Sequence, residues 1–118
     1  MTDLITCLSV GKGTWSEVRS VIEKENWGKV FIITNDFGKQ KYQPIRETEF
    51  ILIDARKSLR ELINVIKEVI KDKVDGTEVG VNLNSGSGKE HMAILGAIIE
   101  SGIGFRLVAL ESDKLMHI

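Results

Sequence analysis

Five short apolar runs, each rich in β-branched residues, leave this chain few ways to fold: Leu4–Ser9, Val30–Thr34, Phe50–Ile53, Val79–Leu83 and Phe105–Leu110. They are nearly continuous in hydrophobicity rather than alternating, the pattern of parallel strands covered on both faces. Between them lie helical repeats. Trp15, Val18, Val21 and Ile22 recur at helical spacing, as do Leu59, Leu62, Ile63, Ile66, Val69 and Ile70, and then Met92, Leu95, Ile98 and Ile99. Strand–helix alternation of this kind predicts an α/β fold, a Rossmann-like, mainly parallel sheet of five or six strands with helices on both faces. A chain of 118 residues buries roughly 60 to 70% of its unfolded surface, enough for one core, so residues 1–118 read as a single domain. Asn35–Thr48 has no clear period but is long enough for a parallel crossover, with room for one helical turn. The tail Glu111–Ile118 either returns as a short antiparallel strand or frays.

Each helix carries the same start signal. Thr14-Trp15-Ser16-Glu17, Ser58-Leu59-Arg60-Glu61 and Ser87-Gly88-Lys89-Glu90 all read as capping boxes, with a hydroxyl at the N-cap and Glu three residues on. Such a cap is worth about 1 kcal/mol and fixes where the helix's free N–H groups point.

Two strand-to-helix connections stand out, Gly11-Lys12-Gly13-Thr14 and Asn84-Ser85-Gly86-Ser87-Gly88-Lys89. In a doubly wound sheet of order 3-2-1-4-5 the strands preceding them are neighbours, and the chain reverses direction between them. Both glycine-bearing loops would then flank one crevice at the carboxyl ends of the strands. A capped helix N-terminus there favours an anion, and glycine lets the backbone approach a phosphate. Lys89 adds an ammonium at the same mouth, and Asn82, Asn84, Ser85 and Ser87 add neutral donors and acceptors. These residues suit a phosphorylated ligand. They do not make a P-loop, because Leu83 stands where the first glycine belongs and Glu90 replaces the Mg²⁺-binding hydroxyl, which argues against ATPase chemistry. The first loop has G-x-G without a third glycine, so the dinucleotide fingerprint is incomplete as well. The competing reading is that the glycines only make tight turns and Lys89 is solvated.

Composition narrows the rest. Lys and Arg number 16 against 17 Asp and Glu, for a net charge of −1, so no global positive field draws the chain to duplex DNA or anionic lipid. The one cysteine, Cys7, sits in an apolar run and reads as a small buried hydrophobe; it excludes an internal disulfide and a Cys-based zinc site. Two histidines and scattered carboxylates show no metal-ligand spacing, and His91 reads as a packed or surface imidazole. No metal or other cofactor is expected. With no signal-peptide pattern and no run of about 18 apolar residues, a cytoplasmic, non-membrane protein is expected. Met92 and Trp15 fit core faces, although both lie near a loop and can line a pocket. Tyr42 and Phe37 offer rings on which an adenine could stack.

The segment Val79–Gly96, VGVNLNSGSGKEHMAILG, resembles the signature of the CRISPR-associated Rossmann-fold (CARF) domains. There a strand ends in Asn-Leu, followed by a Gly-containing Ser/Thr loop, a Lys and a Met in the next helix; here these are Asn82, Leu83, Ser85, Gly86, Ser87, Gly88, Lys89 and Met92. The opening strand, the loop around Gly11, Lys12, Gly13 and Thr14, and the first helix are similar to that family's opening. The resemblance implies a homodimeric sensor of cyclic oligoadenylate, the second messenger of type III CRISPR defence, with the ring lying across the two-fold axis against both copies of the two loops. Many members carry an effector domain after this unit; ending at Ile118, this chain is expected to be a stand-alone member. The resemblance then implies a binder of the messenger or a metal-independent ring nuclease, with Lys89 stabilising charge on the phosphoryl oxygens. Two other readings stay open: a nucleotide- or phosphometabolite-binding enzyme using the same crevice, and a non-enzymatic dimerisation module.

Overall fold

The computed structural model describes residues 1–8, 12–74 and 76–118, without the side chain of Lys12. Its strands are β1 (Asp3–Cys7), β2 (Val30–Thr34), β3 (Thr48–Leu52), β4 (Glu78–Val81), β5 (Gly104–Glu111) and β6 (Lys114–His117). Its helices are α1 (Trp15–Glu23), α2 (Asp36–Lys41), α3 (Leu59–Lys73) and α4 (Gly88–Glu100), with a 3₁₀ turn at Lys12–Thr14. The strands form one sheet of order β3-β2-β1-β4-β5-β6, parallel except for β6, which pairs antiparallel with β5. The fold is α/β and Rossmann-like, with β1 and β4 adjacent at the reversal of strand order.

Strand parity divides the core in two. Ile5, Cys7, Phe31, Ile33, Ile51, Val79 and Val81 face α3 and α4, meeting Leu62, Ile66, Ile70, Ile94 and Ile98. Leu4, Val30, Ile32 and Val108 face the opposite way, against Val18, Val21, Ile22 and Trp27. Both faces of the central strands are thus sealed, the physical basis of their unbroken apolar runs. Gly80, paired with Leu4, faces the α1 side, where a Cβ would stand 2.7 Å from the Trp27 ring.

Several expected boundaries move. The β3 strand starts two residues earlier than the apolar run, at Thr48, and β4 stops at Val81. Ser9, the expected end of the first strand, lies outside the described residues, as does Gly11. The unperiodic 35–48 segment holds the six-residue α2, capped by the Asn35 side chain accepting from the Gly38 N–H. The tail forms β6, whose tight turn puts Ser112 and Asp113 at positive φ.

Candidate ligand-binding site at the strand-order reversal

The described end of the first glycine loop lies against the second. The Thr14 hydroxyl donates to Ser85 Oγ at 2.6 Å, and Asn84 Nδ2 donates to Glu17 Oε2 at 3.2 Å. This corrects the expectation of three capping boxes. The Ser58/Glu61 and Ser87/Glu90 boxes form as expected. Thr14 makes no side-chain cap, because its hydroxyl and the Glu17 carboxylate reach across to the β4–α4 loop instead.

Behind the mouth lies a buried amide network. Asn82 is fully buried; its amide donates to the Val108 carbonyl at 2.9 Å and to Asn84 Oδ1 at 2.6 Å, while its oxygen accepts from the Thr6 hydroxyl. Asn84 Oδ1 also accepts the Leu110 N–H. These bonds tie the ends of β1, β4 and β5 together, so Asn82 shapes the site from beneath and has no surface to offer a ligand. Ser85 is equally buried. His91 donates from Nε2 to the Ser85 carbonyl at 2.8 Å, bracing the loop from α4. Gly86, at φ +109°, fits only because it lacks a Cβ: one would stand 2.8 Å from Cys7 Sγ and 3.0 Å from His91 Nε2. Burial, reinforced by the nearby Glu90 charge, pushes the Cys7 thiol far above its usual range, so it is an inert part of the floor.

The exposed rim consists of Gly13, Ser87, Gly88, Lys89 and Met92. Within the α4 cap, Ser87 Oγ accepts the Glu90 N–H and Glu90 Oε1 accepts the Ser87 N–H. The Gly88 and Lys89 amides, first and second in the helix, are the ones this box does not use. The Lys89 ammonium does not hang free over the mouth as expected. It turns toward α3 and donates to the backbone carbonyls of Ala55, at 3.1 Å, and Lys57. Met92 is a second correction: it is 60% exposed rather than part of a core stripe, because α4 buries Ala93, Ile94, Ala97 and Ile98. Trp15 is half-buried at the mouth end of α1, whereas Tyr42 is buried and offers no open ring face.

Sequence reading missed Glu17 as a partner of the second loop and the 54–57 segment as the anchor of Lys89. The Thr-x-x-Glu pattern was visible but pointed to a local cap. Among the described residues, no group of three or more His, Cys, Asp or Glu side chains is arranged to hold a metal ion, and no helix is long and apolar enough to cross a membrane. Compared with known proteins, the chain matches no family model and no curated sequence.

Proposed function

We propose that this chain binds cyclic oligoadenylate across a homodimer, each protomer holding one symmetric half of the ring at the crevice between β1 and β4. The observation that carries the reading is the Thr14–Ser85 hydrogen bond, which sets two glycine loops and two helix N-termini at one mouth. Backbone amides at helix N-termini suit the phosphates of such a ring. A ring with an even number of adenylates can share a dimer's two-fold axis, and two weak half-sites then act together through effective concentration.

Exposed apolar side chains on α4 and on the β5–β6 hairpin support the dimer. Met92 and Ile99 of α4 are 60% and 65% exposed. Phe105, Met116 and Ile118 are also exposed, on the α4-facing side of the β5–β6 hairpin, where the pairing of Ala109 with Met116 puts both on one face. Large apolar residues left exposed on one side of a domain favour association there.

Binding fits the geometry better than cleavage does. Metal-independent cleavage would have a ribose 2′-OH attack its own 3′-phosphate, expelling the next 5′-oxygen and leaving a 2′,3′-cyclic phosphate, with a cation on the phosphoryl oxygens. The cation nearest that role, Lys89, is engaged by two carbonyls, so cleavage would require it to let go.

Calorimetric titration with cyclic tetra- and hexa-adenylate tests the proposal. Micromolar or tighter binding of one ring is expected, at one ring per two chains. No heat and no thermal stabilisation by either ring refutes it, and a mononucleotide that outcompetes the ring would favour the metabolite-enzyme reading. Met92→Glu with Ile99→Glu is expected to give monomers by light scattering and to weaken ring binding. Incubation with chelator, followed by chromatography, distinguishes an intact ring from a cleaved one.

A further inference from the structure

After β5 the chain turns straight back as β6 instead of entering another helix, and the starts of β4 and β5 stay open on the α1 side of the sheet. A cavity of about 280 Å³ forms there, toward the end of the strands opposite the crevice. Its floor is Trp27, Gly80 and Val108. The Trp27 ring is buried and fixed, its Nε1–H donating to the Val21 carbonyl at 3.0 Å. The volume falls just below the roughly 300 to 1,000 Å³ of drug-sized sites, so it suits a metabolite of amino-acid size rather than a nucleotide.

Glu25, Glu78, Arg106 and His117 stand round this floor. Strand register puts three of them there. Arg106 pairs with Gly80 and His117 with Val108, and Glu78 lies two residues before Gly80, so all project on the face of the floor. Glu25 comes from the connection between α1 and β2 and meets His117, Oε1 to Nε2 at 3.0 Å. Arg106 and Glu78 form only a loose pair. Nε lies 3.8 Å from Glu78 Oε1, too far for a hydrogen bond, and both side chains are about half exposed. Among the described residues the guanidinium meets no hydrogen-bond acceptor, which leaves its planar fork open to a carboxylate.

Two carboxylates to one guanidinium set the charge pattern of an occupant. A dicarboxylate meets repulsion from Glu25 and Glu78, and a diamine leaves Arg106 facing a cation. A molecule with one carboxylate and two cationic groups matches all three. We propose that this cavity binds a free amino acid with a cationic side chain. Its α-carboxylate takes the Arg106 fork, its α-ammonium meets Glu78, and its side-chain cation meets Glu25, with the aliphatic stem over Trp27 and Gly80. Arg106 and Glu78 stand side by side, as do the carboxylate and ammonium of an α-amino acid. The inference does not rest on the messenger reading, because cavity and crevice lie toward opposite ends of the strands.

Amide-resolved NMR titration of ¹⁵N-labelled protein tests the site with three probes: L-lysine, cadaverine, which lacks the carboxylate, and L-norleucine, which lacks the side-chain ammonium. Lysine is expected to shift the amides of Gly80, Arg106 and His117 and the Trp27 indole N–H, with a dissociation constant of about 1 mM or below. Each analogue loses one charge-assisted contact and is expected to bind roughly ten-fold more weakly. Arg106→Ala, at an exposed position, is expected to reduce lysine affinity to the level of cadaverine without weakening cadaverine itself. No shift at about 10 mM lysine, equal binding of the three probes, or lysine affinity unchanged by Arg106→Ala would each overturn the proposal, and none of these results touches the crevice reading.

Discussion

Gly86→Ala is the sharpest test of how the β4–α4 loop is built. Gly86 has φ +109°, a region that costs an L-residue about 1 to 3 kcal/mol. The new methyl would also stand 2.8 Å from Cys7 Sγ, 3.0 Å from His91 Nε2 and 3.3 Å from Glu90 Oε1. Cys7 is fully buried and cannot retreat. His91 can withdraw only by giving up its bond to the Ser85 carbonyl, worth about 1 kcal/mol. Overpacking of this kind adds about 1 to 3 kcal/mol. A loss of at least about 3 kcal/mol is expected, a large part of the roughly 5 to 15 kcal/mol typical of a small domain. Urea unfolding followed by tryptophan fluorescence reads it directly. Gly88→Ala is the matched control: a Cβ there meets nothing within 4 Å, and the residue begins α4 without a positive φ. Its stability is expected to be unchanged or up to about 1 kcal/mol higher, while ring binding weakens because the methyl stands where a phosphate must approach. A Gly86→Ala loss below about 1 kcal/mol would refute the packed loop floor on which the crevice is built.

Three further outcomes follow from individual contacts. Lys89→Ala removes two hydrogen bonds to the 54–57 segment and is expected to cost about 1 kcal/mol in urea unfolding, since the exposed carbonyls regain water; no loss would mean the brace is absent in solution. Tyr42 Oη is buried without a hydrogen-bond partner while its ring packs on Trp15 and Phe50. Tyr42→Phe is therefore expected to hold or raise stability by up to about 1 kcal/mol, and a clear loss would reveal a partner for the hydroxyl. Arg56 lowers the Asp54 pKa from 3.8 to about 2, so the carboxylate favours the folded state above about pH 4, and that contribution disappears as pH falls from about 4 to 2. Asp54→Asn should flatten this part of the urea-midpoint profile, and an unaltered profile would exclude the pair as a source of acid sensitivity.

The meeting of the two loops was legible because its parts are local. Glycines, hydroxyls and a strand-to-helix boundary sit together within each loop, and the strand order that brings the loops together follows from the doubly wound pattern. Lys89 and Met92 were harder to place. A lysine near a helix start looks the same whether its long side chain meets solvent, a phosphate or, as here, carbonyls contributed from 32 and 34 residues away. For α4 the apolar period was misleading because apolar residues occur on nearly every side of the helix. Ala93 and Ala97 are small enough to let α4 lie close on the sheet, and Gly96 admits the Ile63 side chain, since a Cβ there would stand 3.0 Å from it. Close approach through small residues chose the buried face and left the larger Met92 and Ile99 outside.

By itself, the amino-acid sequence determined the strand–helix alternation, the doubly covered central strands, two of the three helix caps and the inert burial of Cys7. All of these arise from hydrophobic patterning and short-range hydrogen bonding, and those forces act among residues a few positions apart. Tertiary structure decided where the Thr14 hydroxyl and the Glu17 carboxylate bond, what the Lys89 ammonium holds and which flank of α4 stays open. A polar group takes whichever partner the folded chain brings within reach, and for Thr14 that partner is Ser85, 71 residues away.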